Sequence, residues 1–563
     1  MFPALERLHR SHFLLIAILI WTWTGCATLP PEPAPTQEEQ AREINELFET
    51  PVAYSVRHLT PEEVGRFITL SPEYRQDSAE IQAFYARRDG QYAWFVRDTL
   101  STAAMSFLNL VLVQDSTIGL STGHDAIHEL VTRILDRTDT IPLTDRFIAH
   151  VELSLTAQFF LFADREYNGY VQRDLRDLDW FIPRRKKDLQ QLVDSLAAGR
   201  MDLSPIEPRV PQYRRLKKAL SRYYKLTWLD TLAPVDLGDV RKLVPGDHHR
   251  AIPGIRIRLH AFGDLDPSAG DTLDVLDSAL VAGTLRYQAR HGLDVDGVIG
   301  KGFIEQINVP IADRVRTILM NMERLRWMPA DGAPDRIEVN IPEFRMHVIA
   351  GDTTTWSMNV VVGAQATSTV IFSDSLSRIV FSPYWSVPSS IVRNEILPAM
   401  RRDPNYLAKK GMEIVGGSSS LPVVRQRPGP SNALGLVKFL FPNSYNIYFH
   451  DTPSKGAFAR ETRAVSHGCI RLSEPKRLAE YLLRGDTTWT PNKIEAAMHK
   501  GRETTVVLPK KVPVLIGYFT AWVDEKGALN FRNDVYRHDE QLAEELFGVP
   551  IPAMDTSAVA SAR

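Results

Sequence analysis

Residues 464–472 read AVSHGCIRL, and this stretch decides how the C-terminal half of the chain is interpreted. Cys469, near its centre, is one of only 2 cysteines in 563 residues. A serine and a histidine precede it, a glycine stands directly before it, and an arginine follows two positions later. Reactive thiols occur in polar surroundings of this kind, whereas structural cysteines are buried and inert. The stretch therefore predicts a reactive cysteine, with a buried inert thiol as the alternative.

A second stretch supplies a partner for this thiol. YNIYFHDTP, residues 445–453, reads as a strand that ends at a turn. Alternation along the strand turns its apolar residues to one face and presents His450 on the other. In GCIRL, residues 468–472, the same alternation turns Cys469 and Arg471 outward together. Two strand ends can thus offer an imidazole and a thiol to one cleft.

The residue types suit nucleophilic catalysis. The thiolate is the nucleophile, and a thiol at its ordinary pKa is mostly protonated at neutral pH. His450 is therefore the candidate general base for Cys469. The backbone N–H groups of Gly468 and Cys469 are candidates for an oxyanion hole. Arg471 either holds a substrate carboxylate by paired hydrogen bonds or braces the loop through backbone carbonyls; the first is preferred.

Three further residues are assigned to the site. His467 is either a second site residue or a local hydrogen-bonding residue that shapes the loop, and the second interpretation is favoured. Ser466 is grouped with the catalytic residues. Tyr448, on the same strand face as His450, is a candidate for substrate binding. The chain has no HExxH motif and no CxxC pair, so neither a metal nor another cofactor is expected.

The arrangement resembles the signature of the bacterial L,D-transpeptidases, HxT…S-x-G-C-[IV]-R. The matched positions are His450, Ser466, Gly468, Cys469, Ile470 and Arg471. Flanking stretches are similar to the large periplasmic subgroup of that family, from about residue 80 to 550; they are HDTPSKGAFARETRAVSHGCIRL, PGPSNALGLVKFLFPN and FSPYWSVPSSI. In papain-like and wall-amidase cysteine peptidases the Cys precedes the His, so the chain order here argues against them.

The resemblance implies a peptidoglycan reaction with a cysteine nucleophile and a histidine base. Cys469 would attack the third residue of a tetrapeptide stem and expel D-alanine, and an amine of a neighbouring stem would then form a 3→3 cross-link. Water as acceptor would give an L,D-carboxypeptidase, and a protein lysine would give lipoprotein attachment. Carbapenems acylate the cysteine of family members. A non-catalytic wall-binding lipoprotein is the alternative from a different class.

The N-terminus predicts export. A basic start is followed by the apolar run FLLIAILIW, residues 13–21, which is short for a membrane span, and then by Thr24-Gly25-Cys26. This layout resembles a bacterial lipobox, although Trp23 stands where Leu is usual. We expect Cys26 to be lipidated and the protein to lie in the periplasm, anchored in the inner leaflet of the outer membrane. An uncleaved signal anchor is the alternative.

A module before the catalytic region resembles the three-helix peptidoglycan-binding domain. Its stretch LRYQARHGLDVDGVIGKGFIEQIN matches that family at Gln288, Gly292, Leu293, Asp296, Gly297 and Gly300. The sequence departs from the family after Gly300, where Lys301-Gly302-Phe303 replaces Pro-x-Thr. The alternative is a structural helical module without a ligand.

The predicted fold is a multidomain α+β chain. Its segments are a lipoprotein signal peptide (1–26), a Pro-rich linker (27–45), a helical scaffold (46–250), the peptidoglycan-binding domain (251–312), a connecting helix (313–336), a mostly-β catalytic domain (337–510), C-terminal strands (511–550) and a disordered tail (551–563). With 66 basic and 68 acidic residues the net charge is −2, which gives no reason to expect nucleic-acid binding. The expected partners are peptidoglycan stems and glycan, and the membrane through the lipid.

Overall fold

The computed structural model describes residues 57–548, apart from 97–98, 119–128, 133–143, 172, 184–207, 209, 267, 269, 271, 330–332 and 352. The predicted signal peptide with Cys26, the linker and the C-terminal tail lie outside the described residues. Within the described part of the chain, no helix is both long and apolar enough to cross a membrane.

The N-terminal half of the described chain is built mainly of helices, as predicted. They are α1 (Pro61–Leu70), α2 (Ser78–Arg87), α3 (Thr102–Ile118), α4 (Asp145–Asn168), α5 (Pro211–Tyr224), α6 (Ile252–Phe262), α7 (Ser278–His291), α8 (Lys301–Ile307) and α9 (Ile311–Arg326). A short hairpin, β1 (Phe95–Val96) and β2 (Thr99–Leu100), interrupts them. Thr60 and Glu63 form a capping box that starts α1, because each side chain accepts the other's backbone N–H.

Helix α4 is buried along most of its length and forms the centre of the first core. Near its C-terminal end, Glu166 forms an ion pair with Arg326 of α9 at 3.3 Å, and both side chains are less than 5% exposed. Trp180, which follows α4 in the chain, is 2% exposed and packs against Trp327 at the end of α9. Trp180 also packs against Phe519, so buried contacts tie the helical region to the C-terminal half.

Helices α6, α7 and α8 lie where the sequence predicts the three-helix module. Gly292 and Gly297 have φ values of +70° and +72°, which only glycine adopts without strain. The Gln288 side chain donates to Asp296 Oδ1 and to the Val298 carbonyl, and it accepts the Gly297 N–H. The residues that match the peptidoglycan-binding family therefore build the turn between α7 and α8, and this structural role does not depend on a ligand.

The C-terminal half is mostly β, which confirms the predicted α+β class. Its strands are β3 (Asp335–Asn340), β4 (Arg345–Ala350), β5 (Thr353–Gly363), β6 (Phe372–Phe381), β7 (Trp385–Ser386), β8 (Met412–Gly417), β9 (Pro422–Gln426), β10 (Val437–Leu440), β11 (Phe449–His450), β12 (Ala464–Ser466), β13 (Ile470–Leu472), β14 (Thr504–Gly517), β15 (Ala521–Val523) and β16 (Leu529–Phe531). The helices among them are α10 (Ser389–Ile391), α11 (Leu397–Arg402), α12 (Tyr406–Lys409), α13 (Pro475–Leu483), α14 (Pro491–Met498) and α15 (His538–Phe547).

Nine strands form one sheet in the order β12-β5-β13-β11-β10-β6-β14-β3-β4, and β4 also pairs with β5. That last pairing closes the sheet on itself, so its inner face encloses a core of apolar side chains. β14 crosses the boundary predicted at residue 510 and pairs with both β6 and β3. Residues 511–517 are therefore part of this closed sheet.

A small insertion, residues 383–435, separates β6 from β10. It carries a second sheet in the order β7-β9-β8 and a helical stretch from α10 through a π-helix, Val392–Ile396, to α11. Its own small core includes Val387, Val392 and Val424. The π-helix is notable because single π-turns inside α-helices are frequent at functional sites.

Candidate active site

Strands β11 and β13 run parallel and side by side, and they carry the residues predicted for the site. Phe449 pairs with Ile470, and His450 pairs with Arg471. Phe449 and Ile470 are completely buried in the core. Alternation therefore places His450 and Arg471 together on the other face, as the sequence predicted.

Cys469 stands directly before β13 and is half-buried. Its Sγ lies 3.6 Å from the backbone carbonyl oxygen of Asn446, to which the thiol donates. Burial raises the pKa of the thiol, while hydrogen bonds from Tyr448 and the charge of Arg471 act in the opposite direction. The thiol is therefore protonated at neutral pH, and it needs a base before it can act as a nucleophile.

His450 has the properties of such a base. The side chain is 5% exposed, and its Nδ1 lies 2.5 Å from the carbonyl oxygen of Asp451. A carbonyl only accepts, so Nδ1 carries the hydrogen and Nε2 keeps its lone pair. Burial lowers the pKa of His450 to about 4; the charge of Arg471 adds to this effect and Asp451 opposes it. The imidazole is therefore neutral at pH 7 and able to accept a proton.

The Asp451 carboxylate anchors the backbone whose carbonyl contacts His450, a role that sequence reasoning missed. Its Oδ2 accepts the N–H of Leu436 at 2.8 Å, and its Oδ1 pairs with Lys455 Nζ at 2.6 Å. A Cβ on Gly435 would lie only 2.3 Å from Oδ2, so a side chain there would displace the carboxylate. Two features of the sequence could have indicated this role. An Asp directly follows His450, and a glycine, Gly435, stands just before β10.

Ser466 shapes the turn that carries the thiol. Its hydroxyl donates to the Cys469 carbonyl at 2.7 Å and accepts the Gly468 N–H at 3.2 Å. The hydroxyl of Thr369 donates to the Gly468 carbonyl at 2.8 Å. Gly468 has φ +110°, a conformation that strains any residue with a Cβ.

These contacts change the prediction for the oxyanion hole. The Gly468 N–H, predicted as a donor to the substrate, is engaged by Ser466 within the turn. The Cys469 N–H makes no hydrogen bond among the described residues. Cys469 therefore supplies the stronger candidate for an oxyanion donor.

His467 points to a different neighbour. Its Nε2 lies 3.0 Å from Glu395 Oε1, in the π-helix of the insertion, and both side chains are about half exposed at 56% and 55%. The contact joins the turn around Cys469 to the insertion. The contact is consistent with the interpretation that His467 forms local hydrogen bonds that shape the loop.

Tyr448 and Arg471 complete the group on this face. The Tyr448 ring is 5.8 Å from the His450 ring, and burial together with the thiol of Cys469 raises the pKa of its hydroxyl. Burial lowers the pKa of Arg471. The strand register puts Tyr448 beside Cys469 and His450 beside Arg471, and no hydrogen bond joins His450 to Cys469 in the described part of the chain. Catalytic hydrogen bonds are often long before substrate binds.

Among the described residues, no group of three or more His, Cys, Asp or Glu side chains is placed to hold a metal ion. The site consists of a protonated thiol, a neutral imidazole, a phenol and a guanidinium. This set can perform acyl transfer through a thioester.

Two family models match the chain. Residues 334–496 match YkuD, the L,D-transpeptidase catalytic domain, and residues 79–220 match a scaffold domain. A curated relative from Haemophilus influenzae, named as an L,D-transpeptidase, is 31% identical over 241 residues, which cover 40% of this chain and 48% of the relative. The match thus spans about half the length of that relative.

Solved structures of L,D-transpeptidases are also similar to the chain, at low scores. One from Mycobacterium smegmatis has a TM-score of 0.19 at 14% identity and covers 33% of this chain and 59% of its own. L,D-transpeptidase 3 of Mycobacterium tuberculosis has a TM-score of 0.18 at 16% identity and covers 33% of this chain and 61% of its own. These scores are too low to support an argument, and the assignment rests on the sequence matches. The similarity of this chain to the L,D-transpeptidases therefore consists of a catalytic-domain match at residues 334–496, a scaffold-domain match at residues 79–220 and the partial match to the Haemophilus influenzae relative.

Proposed function

We propose that the protein is a peptidoglycan L,D-transpeptidase that forms 3→3 cross-links between peptide stems, with Cys469 as nucleophile and His450 as general base. The observation that carries the proposal is the placement of both residues, with Arg471, on one face of two adjacent parallel strands. The neutral state of the imidazole supports it, because a protonated imidazole could not accept the thiol proton.

The first half-reaction transfers the donor stem to the thiol. The thiol leaves the Asn446 carbonyl and gives its proton to His450 Nε2, and the sulfur attacks the carbonyl carbon of the third stem residue. The resulting oxyanion accepts the N–H of Cys469. When the tetrahedral intermediate collapses, the C–N bond to D-alanine breaks. The imidazolium returns the proton to the departing amine, which leaves a thioester on Cys469.

The second half-reaction makes the cross-link. A side-chain amine of a neighbouring stem attacks the thioester carbonyl and loses a proton to His450. The C–S bond then breaks, and the thiolate recovers that proton. A new amide forms between two third-position residues, and the enzyme returns to its starting protonation state.

Hydrolysis and transfer to a protein lysine share the first half-reaction and differ only in the acceptor. A non-catalytic wall-binding role is disfavoured, because the Asp451 carbonyl holds the imidazole with Nε2 free to accept a proton, on the strand face that also carries Cys469.

The proposed acylation is tested with a carbapenem. Incubation of the full chain, purified in detergent, should add one inhibitor mass per protein, located by peptide mapping at Cys469. The Cys469→Ala variant should remain unmodified. Modification at another residue, or no adduct on a folded wild-type protein, would refute the proposed nucleophile.

We further propose that Cys26 anchors the protein in the inner leaflet of the outer membrane. The lipobox-like Thr24-Gly25-Cys26 supports this, and Ala27 is not the Asp that would retain a lipoprotein in the inner membrane. The Cys26→Ala protein should become a soluble periplasmic species. Unchanged membrane fractionation of this variant would contradict the proposal.

The module at residues 251–312 is proposed to hold the chain on peptidoglycan. Its support is the family resemblance alone, since Gln288 and Asp296 already have a structural role in the turn. Sedimentation of the full chain with purified wall sacculi tests it, and a chain that stays in the supernatant would contradict it.

A further inference from the structure

A third basic side chain lies in the same row of the sheet as Arg471 and His450. β11 pairs with β10 on the side away from β13, and the partner of His450 there is Lys438. Arg471, His450 and Lys438 are therefore consecutive cross-strand partners on three adjacent strands. Direct cross-strand partners carry their side chains on the same face of a sheet. Lys438 thus belongs to the face that carries the thiol and the imidazole.

The Lys438 ammonium is mostly buried, and it pairs with Glu503 only at the outer limit of ion-pair distance. Its side chain is only 19% exposed, although lysine is rarely buried without a partner. Its Nζ donates to the carbonyl oxygen of Tyr384 at 3.3 Å. The carboxylate of Glu503 is 4.0 Å away, beyond hydrogen-bond range, and it accepts the Tyr384 N–H instead. Burial lowers the pKa of the Lys438 ammonium, and the charge of Glu503 opposes this effect.

The spacing of the two cations suits two separate anions. Arg471 and Lys438 are two strand spacings apart, about 10 Å at the backbone, with His450 between them. Two reacting peptide stems carry several free carboxylates, so each cation can have a carboxylate of its own. An ammonium binds a carboxylate as a point charge, whereas the guanidinium of Arg471 favours paired hydrogen bonds.

We propose that Lys438 binds a carboxylate of a peptidoglycan stem on the opposite side of His450 from Arg471. The two cations would then hold the stems on either side of the general base. This inference rests on the proposed function. The competing explanation is that Lys438 only braces the turn at Tyr384, where the insertion begins.

Stem binding can be measured without turnover in the Cys469→Ala background. The ligands are a tetrapeptide stem with free carboxylates and the same stem with its carboxylates amidated. Adding Lys438→Met should raise the Kd of the free stem about tenfold to a hundredfold and leave the Kd of the amidated stem nearly unchanged. Lys438→Arg should restore most of the affinity. Lys476→Met is the control, since that lysine pairs with Glu495 on the surface and should change neither value.

The competing explanation predicts a different pattern. If Lys438 only braces the turn, Lys438→Met should lower the melting temperature and weaken both ligands equally, and this result would overturn the inference, as would an unchanged Kd for the free stem. Should Lys438→Met fail to fold, Lys438→Gln carries the same comparison. Failure of the proposed function looks different, because the wild type would then bind stems without converting them. A Cys469→Ala protein that binds neither the free nor the amidated stem would contradict both the proposed function and the role of Lys438.

Discussion

Removing the Ser466 hydroxyl should both destabilise the catalytic domain and slow its chemistry. The hydroxyl is on a 3% exposed side chain and joins two backbone groups of the turn, the Cys469 carbonyl and the Gly468 N–H. Each buried polar group left without a partner costs about 1–3 kcal/mol. The Gly468 contact is long and Cys469 is half-buried, so we expect Ser466→Ala to lower the free energy of unfolding by about 2–4 kcal/mol.

The same change should reach the thiol. Without the bridge, the Gly468 N–H and the Cys469 carbonyl turn toward other partners, and Sγ and the oxyanion donor shift with them. A displacement of about 1 Å can reduce a rate about a hundredfold, and we expect a loss of that size in carbapenem acylation. Urea denaturation measures the first effect, and intact-protein mass spectrometry over time measures the second.

Ser382→Ala is a matched control. Ser382 is 2% exposed, and its hydroxyl also bridges backbone groups, donating to the carbonyls of Ala497 or Met498 and accepting the Gly501 N–H. It lies in the same domain and does not contact the turn that carries Cys469. The control should lose similar stability with unchanged acylation. If Ser466→Ala loses stability but acylates at the wild-type rate, the turn does not position the thiol and the reasoning fails.

Four further predictions concern individual groups. His450→Ala should slow acylation by about 10²–10⁴-fold and His467→Ala by less, as measured by adduct mass over time; equal losses would reverse the assignment of the base. Arg471→Lys should raise KM for tetrapeptide stems without lowering the melting temperature, and a destabilised variant with unchanged KM would show that Arg471 only braces the loop. Burial lowers the pKa of His450 to about 4, so the acylation rate should decrease at acid pH with a midpoint near pH 4. A midpoint near pH 6.5 would contradict the buried neutral imidazole. The unfolded chain takes up this proton near pH 6.5 and the folded protein only near 4, so stability is fully present above 6.5 and about 3 kcal/mol is lost as the pH falls to 4. The His450→Ala variant should lack that part of the pH dependence.

Local patterns in the sequence predict the faces of the strands at the site. Phe449 and Ile470 alternate with His450 and Arg471, and a period of two follows from strand geometry alone. Which strands become neighbours does not follow from local pattern. Lys438 could not be placed beside His450 without knowing that β10 pairs with β11 in that register. The pairing of β4 with β5, which closes the sheet, also cannot be predicted from local pattern.

Hydrogen bonding within the turn is also invisible to the sequence. Gly468 was predicted from its position as an oxyanion donor, but the backbone folds back so that Ser466 takes its N–H. Asp451 was predicted only as part of the turn after the strand, because its partner Leu436 lies in the turn before β10, and the pairing of β10 with β11 does not follow from local pattern. Both differences arise from contacts between segments, which residue types and spacing do not encode.

The central claim, that Cys469 transfers one stem to another, is tested most directly by the products of the purified full chain. Disaccharide-tetrapeptides should yield free D-alanine and a dimer of the mass of a 3→3 cross-link, with fragmentation that places the new amide between two third-position residues. The Cys469→Ala protein should give neither product. D-alanine release without dimer would indicate hydrolysis, and dimer formation by the Cys469→Ala protein would contradict the account.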